Sequence, residues 1–364
     1  MEDSIMKKSQ IYLLIILLVS MFHNMCSKDT KNPVKDELPP FQAMNPFDQN
    51  RKIFRGVNFG NALEAPNEGD WGVAIEDEYF KLLKEARFTS IRVPTKWSAH
   101  AAPTEPYKIY DAFFRRIDWI VKKAIENDLT IILNIHHYDE IFMEPENHKA
   151  RFLALWEQIA THYQNYPAGL IFEILNEPHD KLTPKLWNQY LVEALQIIRK
   201  TNPERNVVIG TANWGGTGSL NELVIPASDK HLIVTVHYYN PFQFTHQGAE
   251  WVDGSNAWMG TLWSGTAAER QAVDNDLNLA VAYGEKNNVP IYLGEFGSYN
   301  KADIRSRERW TAYIARQAEA KDIGWTYWEF CAGFGVYDRD KKQWIPRILE
   351  ALIPPLAKEN SPNK

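Results

Sequence analysis

Two glutamates stand immediately behind apolar runs. Ile171–Leu175 leads into Asn176-Glu177-Pro178, and Ile291–Gly294 leads into Glu295-Phe296-Gly297. A carboxyl that directly follows a strand is aimed by the backbone and not by a long loop. Two such carboxyls converging on one bond can share the work of breaking it, one moving a proton and the other attacking. A pair about 5–5.5 Å apart suits double-displacement cleavage of a glycosidic bond. Taken singly, either glutamate also fits an ordinary exposed loop carboxylate. Their separation in space is not written in the sequence.

These glutamates need elements to hold them. Short apolar runs alternate with amphipathic stretches from Phe54 onward. Strands are expected at Phe54–Asn58, Ser90–Val93, Thr130–Ile135, Ile171–Leu175, Val207–Ile209, Ile233–His237, Ile291–Gly294 and Trp325–Trp328. Several of these runs are continuously apolar, as parallel strands buried on both faces must be. Helices are expected at Glu76–Ala86, Asp111–Asn127, His148–Tyr163, Lys185–Thr201, Glu269–Lys286 and Arg305–Lys321, with only Leu220–Val224 after the fifth strand. Strand-then-helix units repeated eight times predict an α/β fold of the (β/α)8 TIM-barrel type with a single catalytic domain. A doubly wound open sheet is the alternative. It usually carries a G-x-G-x-x-G first turn, and Gly56-Val57-Asn58-Phe59-Gly60-Asn61 lacks that spacing.

In a barrel, chemistry collects where strands end. Those ends carry Asn61, Glu64, Arg92, His136, His137, Asn176, Glu177, Trp214, His237, Tyr239, Glu295 and Trp328. Strands four and seven face each other across the mouth, so Glu177 and Glu295 can meet one substrate bond.

Composition narrows the ligand. The chain has 364 residues, 45% hydrophobic and 24% charged, with a net charge of −6. A mildly acidic chain does not attract polyphosphate, so nucleic acid is not an expected partner. The 13 Trp, 16 Tyr and 17 Phe are abundant enough to supply flat rings for the apolar faces of sugars as well as for the core. No metal or cofactor is expected. The His136-His137 pair would point to opposite faces of a strand, and no His-x-His, H-E-x-x-H or Cys cluster is present. Sugar-hydroxyl hydrogen bonding suits His136 or His137 better.

The start of the chain has its own logic. Lys7 and Lys8 precede the apolar run Ile11–Phe22, which fits a signal peptide over residues 1–25. Cys26 follows that run, as in a lipoprotein anchored through an acylated cysteine. His23-Asn24-Met25 departs from the usual small-residue cleavage site, and an uncleaved membrane anchor or plain secretion are the other readings. Residues 26–50 are polar, carry four prolines and read as a linker; residues 51–364 read as the barrel. The expected location is therefore secreted or tethered to the cell surface through Cys26.

Six motifs occur in one order: Ile91-Arg92-Val93-Pro94, Asn134-Ile135-His136-His137-Tyr138, Leu175-Asn176-Glu177-Pro178, Val236-His237-Tyr238-Tyr239, Gly294-Glu295-Phe296-Gly297 and Trp328. The series resembles glycoside hydrolase family 5, the retaining β-1,4-glucanases and mannanases of clan A, from Phe54 to Leu356. Asn61-Ala62-Leu63-Glu64-Ala65-Pro66 and the stretch Tyr239–Gly248 resemble a subfamily of endoglucanases, some of which also cleave β-mannan.

The resemblance implies that Glu177 is the acid/base and Glu295 the nucleophile of an exported endo-β-1,4-glycanase. Its partners would be β-glucan or β-mannan chains and their oligosaccharides. An endo-β-1,4-mannanase, a dual-specificity enzyme and a non-catalytic carbohydrate-binding protein remain as alternatives. Arg92 and Tyr239 would favour an ionised Glu295, while Glu177 needs a less polar setting that raises its pKa. Asn176 is expected on the sugar 2-hydroxyl, Trp328 under the reacting sugar, and His237 on Glu177 or the substrate. Asn61, Glu64, His246 and Trp251 would lie along the glycone side. Trp71, Trp214, Trp258 and Trp263 serve either as further sugar platforms or as packing. Glu173 and Glu329 are read as supporting hydrogen-bonders, pointed by strand alternation away from the Glu177 and Trp328 side. Cys331 is expected to be a buried free thiol.

Overall fold

The eight apolar runs pair in chain order and close on themselves. A computed structural model describes residues 38–355. Its strands are β1 (Arg55–Asn58), β2 (Ser90–Val93), β3 (Thr130–Asn134), β4 (Leu170–Glu173), β5 (Val207–Gly210), β6 (Leu232–Tyr238), β7 (Ile291–Phe296) and β8 (Gly324–Tyr327). All neighbours are parallel, and β1 also pairs with β8, so the sheet is a closed barrel without an edge. The (β/α)8 expectation holds.

Six of the ten described helices lie where the amphipathic stretches predict them, and four are not expected from the sequence. The ten are α1 (Pro46–Ile53), α2 (Asp77–Glu85), α3 (Asp111–Glu126), α4 (Asp139–Met143), α5 (Pro145–His162), α6 (Pro184–Thr201), α7 (Phe242–Thr245), α8 (Ala267–Asn287), α9 (Ile304–Ala320) and α10 (Pro346–Leu352). Local chemistry sets their starts. Thr183 caps α6 with Pro184 at its first position. Thr266 and Glu269 form a reciprocal capping box on α8. The stretch after β5, expected to be the weakest helix, is a short 3₁₀ turn over Thr217–Glu222. A small hairpin of Tyr337–Asp338 and Gln343–Trp344 follows the barrel.

Alternation along the strands divides the core in two. Ile132, Ile171, Val208, Ile233 and Tyr292 point inward and meet Ile53 of α1. Their neighbours Ile131, Leu133, Leu170, Phe172, Val207, Ile209, Val234 and Leu293 point outward into the larger cluster beneath the helices. Helix α1 therefore closes the lower end of the barrel, and Asn50 Nδ2 donates to the Ile291 carbonyl at 2.9 Å. This helix begins inside the stretch read as a linker. The preceding residues are tied down as well: Arg205 lies 5.0 Å over the Phe41 ring, and Asn206 Nδ2 donates to the Met44 carbonyl. The barrel thus starts earlier than position 51, because Ile53 is needed to fill the open end. The expected signal segment and Cys26 lie outside the described residues. Cys331 is buried and free.

Candidate active site

Above the apolar inner layer, the next inward positions are polar, and Arg92 organises them. Its guanidinium is fully buried. Nε and Nη2 grip both oxygens of Glu173 at 2.6 Å each. Nη2 also donates to Asn176 Oδ1 at 2.7 Å. Nη1 donates to Asn58 Oδ1 at 2.9 Å and to Glu295 Oε1 at 2.6 Å. A rigid fork of donors is what one cation needs to hold two carboxylates and two amides at once. Burial by itself would lower the Arg92 pKa, but Glu173 and then Glu295 raise it well above normal.

Glu173 is a correction to the alternation argument. It sits in register with inward-facing Asn134 and points into the barrel, on the side of the catalytic candidates. Alternation counted along β4 requires this, since Glu173 lies two residues past inward-facing Ile171 and four before Glu177, even spacings that keep one face. Asn58 and Asn134, both fully buried, belong to the same layer and were not singled out from the sequence. Lone asparagines in short strands carry no distinguishing pattern.

Glu295 is 4% exposed. Besides Arg92 it receives the Tyr239 hydroxyl on Oε2 at 2.9 Å. Glu177 Oε1 lies 2.6 Å from His237 Nδ1, and the same nitrogen lies 3.7 Å from Glu295 Oε2. Donor atoms of Glu177, His237 and Glu295 all fall within 4.8 Å of one another. The two carboxyls therefore converge as the strand positions require, with His237 standing between them.

The protonation balance differs from the expectation. Burial pushes Glu177 up, but the hydrogen bond and charge of His237, with Arg92 behind it, bring it below its usual range. Burial lowers His237, yet Glu295 and Glu177 together raise it. Glu295 is raised, first by burial and then by the Glu177 charge, against the opposing pull of His237 and Arg92. These directions favour a charged His237 beside an ionised Glu177 over a protonated Glu177.

Around this centre stand the remaining candidates. Trp328 is half-buried, and the His136 ring lies parallel to it at 5.7 Å and 9°. His136 is held by Asn134 Nδ2 at 3.0 Å, and burial together with the nearby cations keeps it neutral. His137 packs edge-on against His136 and against the exposed Trp71. His246 lies 5.0 Å from the Tyr239 ring and 4.0 Å from Phe242; burial drops its pKa to about 4. Trp251 is 60% exposed and leans on Tyr299 and Phe334. Phe334, Tyr299 and Phe242 are aromatic wall residues missed in the sequence, where nothing separates them from core aromatics.

Asn61 is half-buried with φ +62°, near the start of the loop that follows β1. Glu64 differs from the expected cleft residue. It is fully buried, and its carboxylate accepts the backbone N–H groups of Asn61 and Ala62. It holds the Asn61 turn in place, and burial raises its pKa to about 8. Glu329 does the same for the loop after β8, accepting the N–H groups of Cys331, Ala332 and Phe334 at 2.8–3.0 Å. Of the four uncertain tryptophans, Trp214 is 58% exposed and stacked on His179 at 3.6 Å, beside Glu177. Trp71 is open to solvent, Trp258 half-buried, and Trp263 is core packing.

Residues 48–333 match the family described as Cellulase (glycosyl hydrolase family 5). Endoglucanase H of Acetivibrio thermocellus is 35% identical over 320 residues, which is 86% of this chain and 34% of that protein. The Cellulase/esterase CelE of the same organism is 28% identical, covering 83% of this chain and 39% of its own. The chain spans about a third of the length of these two curated relatives. Thermotoga maritima Cel5A solved with mannotriose has a TM-score of 0.84 at 51% identity, covering 85% of this chain and 100% of its own. The same protein with cellobiose gives 0.84 at 52%, again covering 85% and 100%. The order of the motifs, the closed barrel and the paired glutamates therefore have one common explanation, which the family match over residues 48–333 makes explicit: the chain belongs to glycosyl hydrolase family 5.

Proposed function

We propose that the chain is a retaining endo-β-1,4-glycanase acting first on β-glucans. The observation that carries this reading is the approach of the Glu177 and Glu295 side chains, whose oxygens come within 4.8 Å. That approach supports direct attack by one carboxylate, since it is near the separation of about 5–5.5 Å of double displacement and below the roughly 6.5–9.5 Å of single displacement. Glu295, fixed by Arg92 and Tyr239, attacks the anomeric carbon while the Glu177–His237 pair delivers its proton to the departing sugar oxygen. In the second step the same pair takes a proton from water, the water oxygen bonds to the anomeric carbon, and Glu295 departs as carboxylate. Asn176, whose carbonyl is committed to Arg92, keeps its amide N–H donors for the 2-hydroxyl. A contact there strengthens as the transition state gains positive charge.

Dual use of glucan and mannan is supported by the similar Thermotoga maritima protein, solved with both cellobiose and mannotriose. The test is a panel of carboxymethyl-cellulose, mixed-linkage glucan, xyloglucan and glucomannan, with product analysis and NMR of the first-formed anomer. A β-anomer released from internal bonds is expected. An initial α-anomer overturns the double displacement, and no hydrolysis of any member overturns the enzyme reading in favour of a sugar-binding role. A metal reading has one supporting feature, since Glu177, His237 and Glu295 are close enough to share an ion. EDTA decides it: activity should not change, and a metal-reversible loss of more than about tenfold would favour metal-assisted hydrolysis.

Export, with Cys26 as a lipid anchor, is the accompanying proposal for the location. It is supported by the Lys7-Lys8 start, the apolar run Ile11–Phe22 and the cysteine behind it. Mass spectrometry of the mature N-terminus should find an acylated Cys26. An unmodified terminus beyond it leaves simple secretion.

A further inference from the structure

The nucleophile candidate should not face the barrel mouth if β7 alternated regularly. Tyr292 points inward beside Ile132, Ile171, Val208 and Ile233, and Leu293 points outward. Strict alternation would send Glu295 outward into the helix layer and Phe296 inward. The opposite is found. Glu295 meets Arg92 and Tyr239 inside the mouth, while Phe296 packs outward on Trp310 and Trp325. The pairing with β6 supplies the reason. Val236 pairs with Leu293 and His237 pairs with Glu295, so Gly294 is one extra residue on β7. Such a bulge reverses which face every later residue occupies.

The position also has no space for a side chain. A Cβ at Gly294 would lie 2.6 Å from Thr235 Oγ1 and 3.0 Å from His237 Nε2. His237 occupies that space, and its other ring nitrogen reaches Glu177. The Gly294 carbonyl is held in turn by Asn58 Nδ2 at 3.0 Å and Thr326 Oγ1 at 2.5 Å, so the bulge cannot slide.

We infer that Gly294 is a positioning residue for both carboxylates: its bulge turns Glu295 into the mouth, and its missing side chain leaves the space in which His237 stands between Glu295 and Glu177. This rests on the roles given to the two glutamates above. The test compares Gly294→Ala, Thr235→Ala and the double variant on an aryl cellobioside, with Tm measured for each. Moving a catalytic group by about 1 Å can cost about 100-fold in rate. Gly294→Ala should therefore lower kcat by about 10- to 100-fold with KM within about threefold, and Thr235→Ala should stay near wild type. In the double variant the 2.6 Å clash is gone but the His237 contact remains. Its Tm should recover while kcat stays low. Wild-type kcat in either folded Gly294→Ala variant overturns the inference. So does failure of both to fold, since Gly294 would then be a packing residue only. If the wild-type chain hydrolyses no β-glycan, it is the proposed function that fails.

Discussion

Replacing Arg92 by methionine tests whether the polar layer of the barrel is one electrostatic unit. The side chain of Arg92 is 0% exposed, that of Glu173 1% and that of Glu295 6%. Methionine keeps much of the volume but removes the cation, leaving Glu173 buried without its charge partner and Glu295 with only His237 and Tyr239. Removing one member of a buried ion pair costs about 3–5 kcal/mol, because the remaining charge stays desolvated. A domain above about 150 residues loses roughly 2–4 °C per kcal/mol, so at the lower rate the Tm should fall by about 6–10 °C. The diagnostic arm is the double variant Arg92→Met/Glu173→Gln. Neutralising Glu173 removes the charge that the first change orphaned, so part of the loss should return. The double-mutant cycle should show a coupling of about 2 kcal/mol or more, within the range for residues in direct contact. Calorimetry of all four proteins at one scan rate and pH gives both numbers. Turnover should fall in both Arg92 variants, since Glu295 loses its nearest donor. Arg92→Lys should recover stability better than activity, because one ammonium cannot reproduce the fork. A Tm loss under about 2 °C for Arg92→Met, or strictly additive effects, refutes the view that Arg92 holds the layer together.

Glu295→Ala should abolish turnover of every substrate, whereas Glu177→Ala should still form a glycosyl-enzyme from an activated aryl cellobioside and then stall. Azide should rescue the two variants with opposite stereochemistry, α-glycosyl azide from Glu295→Ala and β from Glu177→Ala; products in the reverse sense exchange the two roles. Trp328→Ala should cut kcat/KM on all β-glycans by about 10-fold or more, as expected for a stacking platform, and a lower Tm with normal low-temperature activity would make the ring mere packing. Burial raises Glu64 to about 8 and Glu329 to about 7. A folded-state pKa above the unfolded value gives stability that is complete below about pH 4 and lost as pH rises through 7–8. The Tm should decline from about pH 4 to about pH 8 and level off above, and Glu64→Gln should flatten that decline; parallel Tm curves for the two proteins would show that Glu64 does not titrate in this window.

The sequence by itself determined the order of the barrel. Several buried strands are short apolar runs, some helices open on a capping residue such as Thr183 or Thr266, and parallel strands joined by helices have few ways to close. It also placed Glu177 and Glu295 at the ends of β4 and β7, because a strand and the residue behind it are local features. What only the tertiary structure decided are the properties that depend on partners distant along the chain. Arg92 meets Glu295 across 203 residues, and Glu177 meets His237 across 60. Charge balance and the approach of the two carboxyls to within 4.8 Å follow from such contacts. The inward turn of Glu295 and the retreat of Glu64 into its own loop were hidden for a related reason. Alternation predicts the face of a residue only while the register holds, and Gly294 bulges β7 one residue before the nucleophile. Burial likewise separated Trp263 in the core from Trp214 at the surface, two residues that the sequence alone could not tell apart, because exposure is a property of everything packed around a ring and not of the ring.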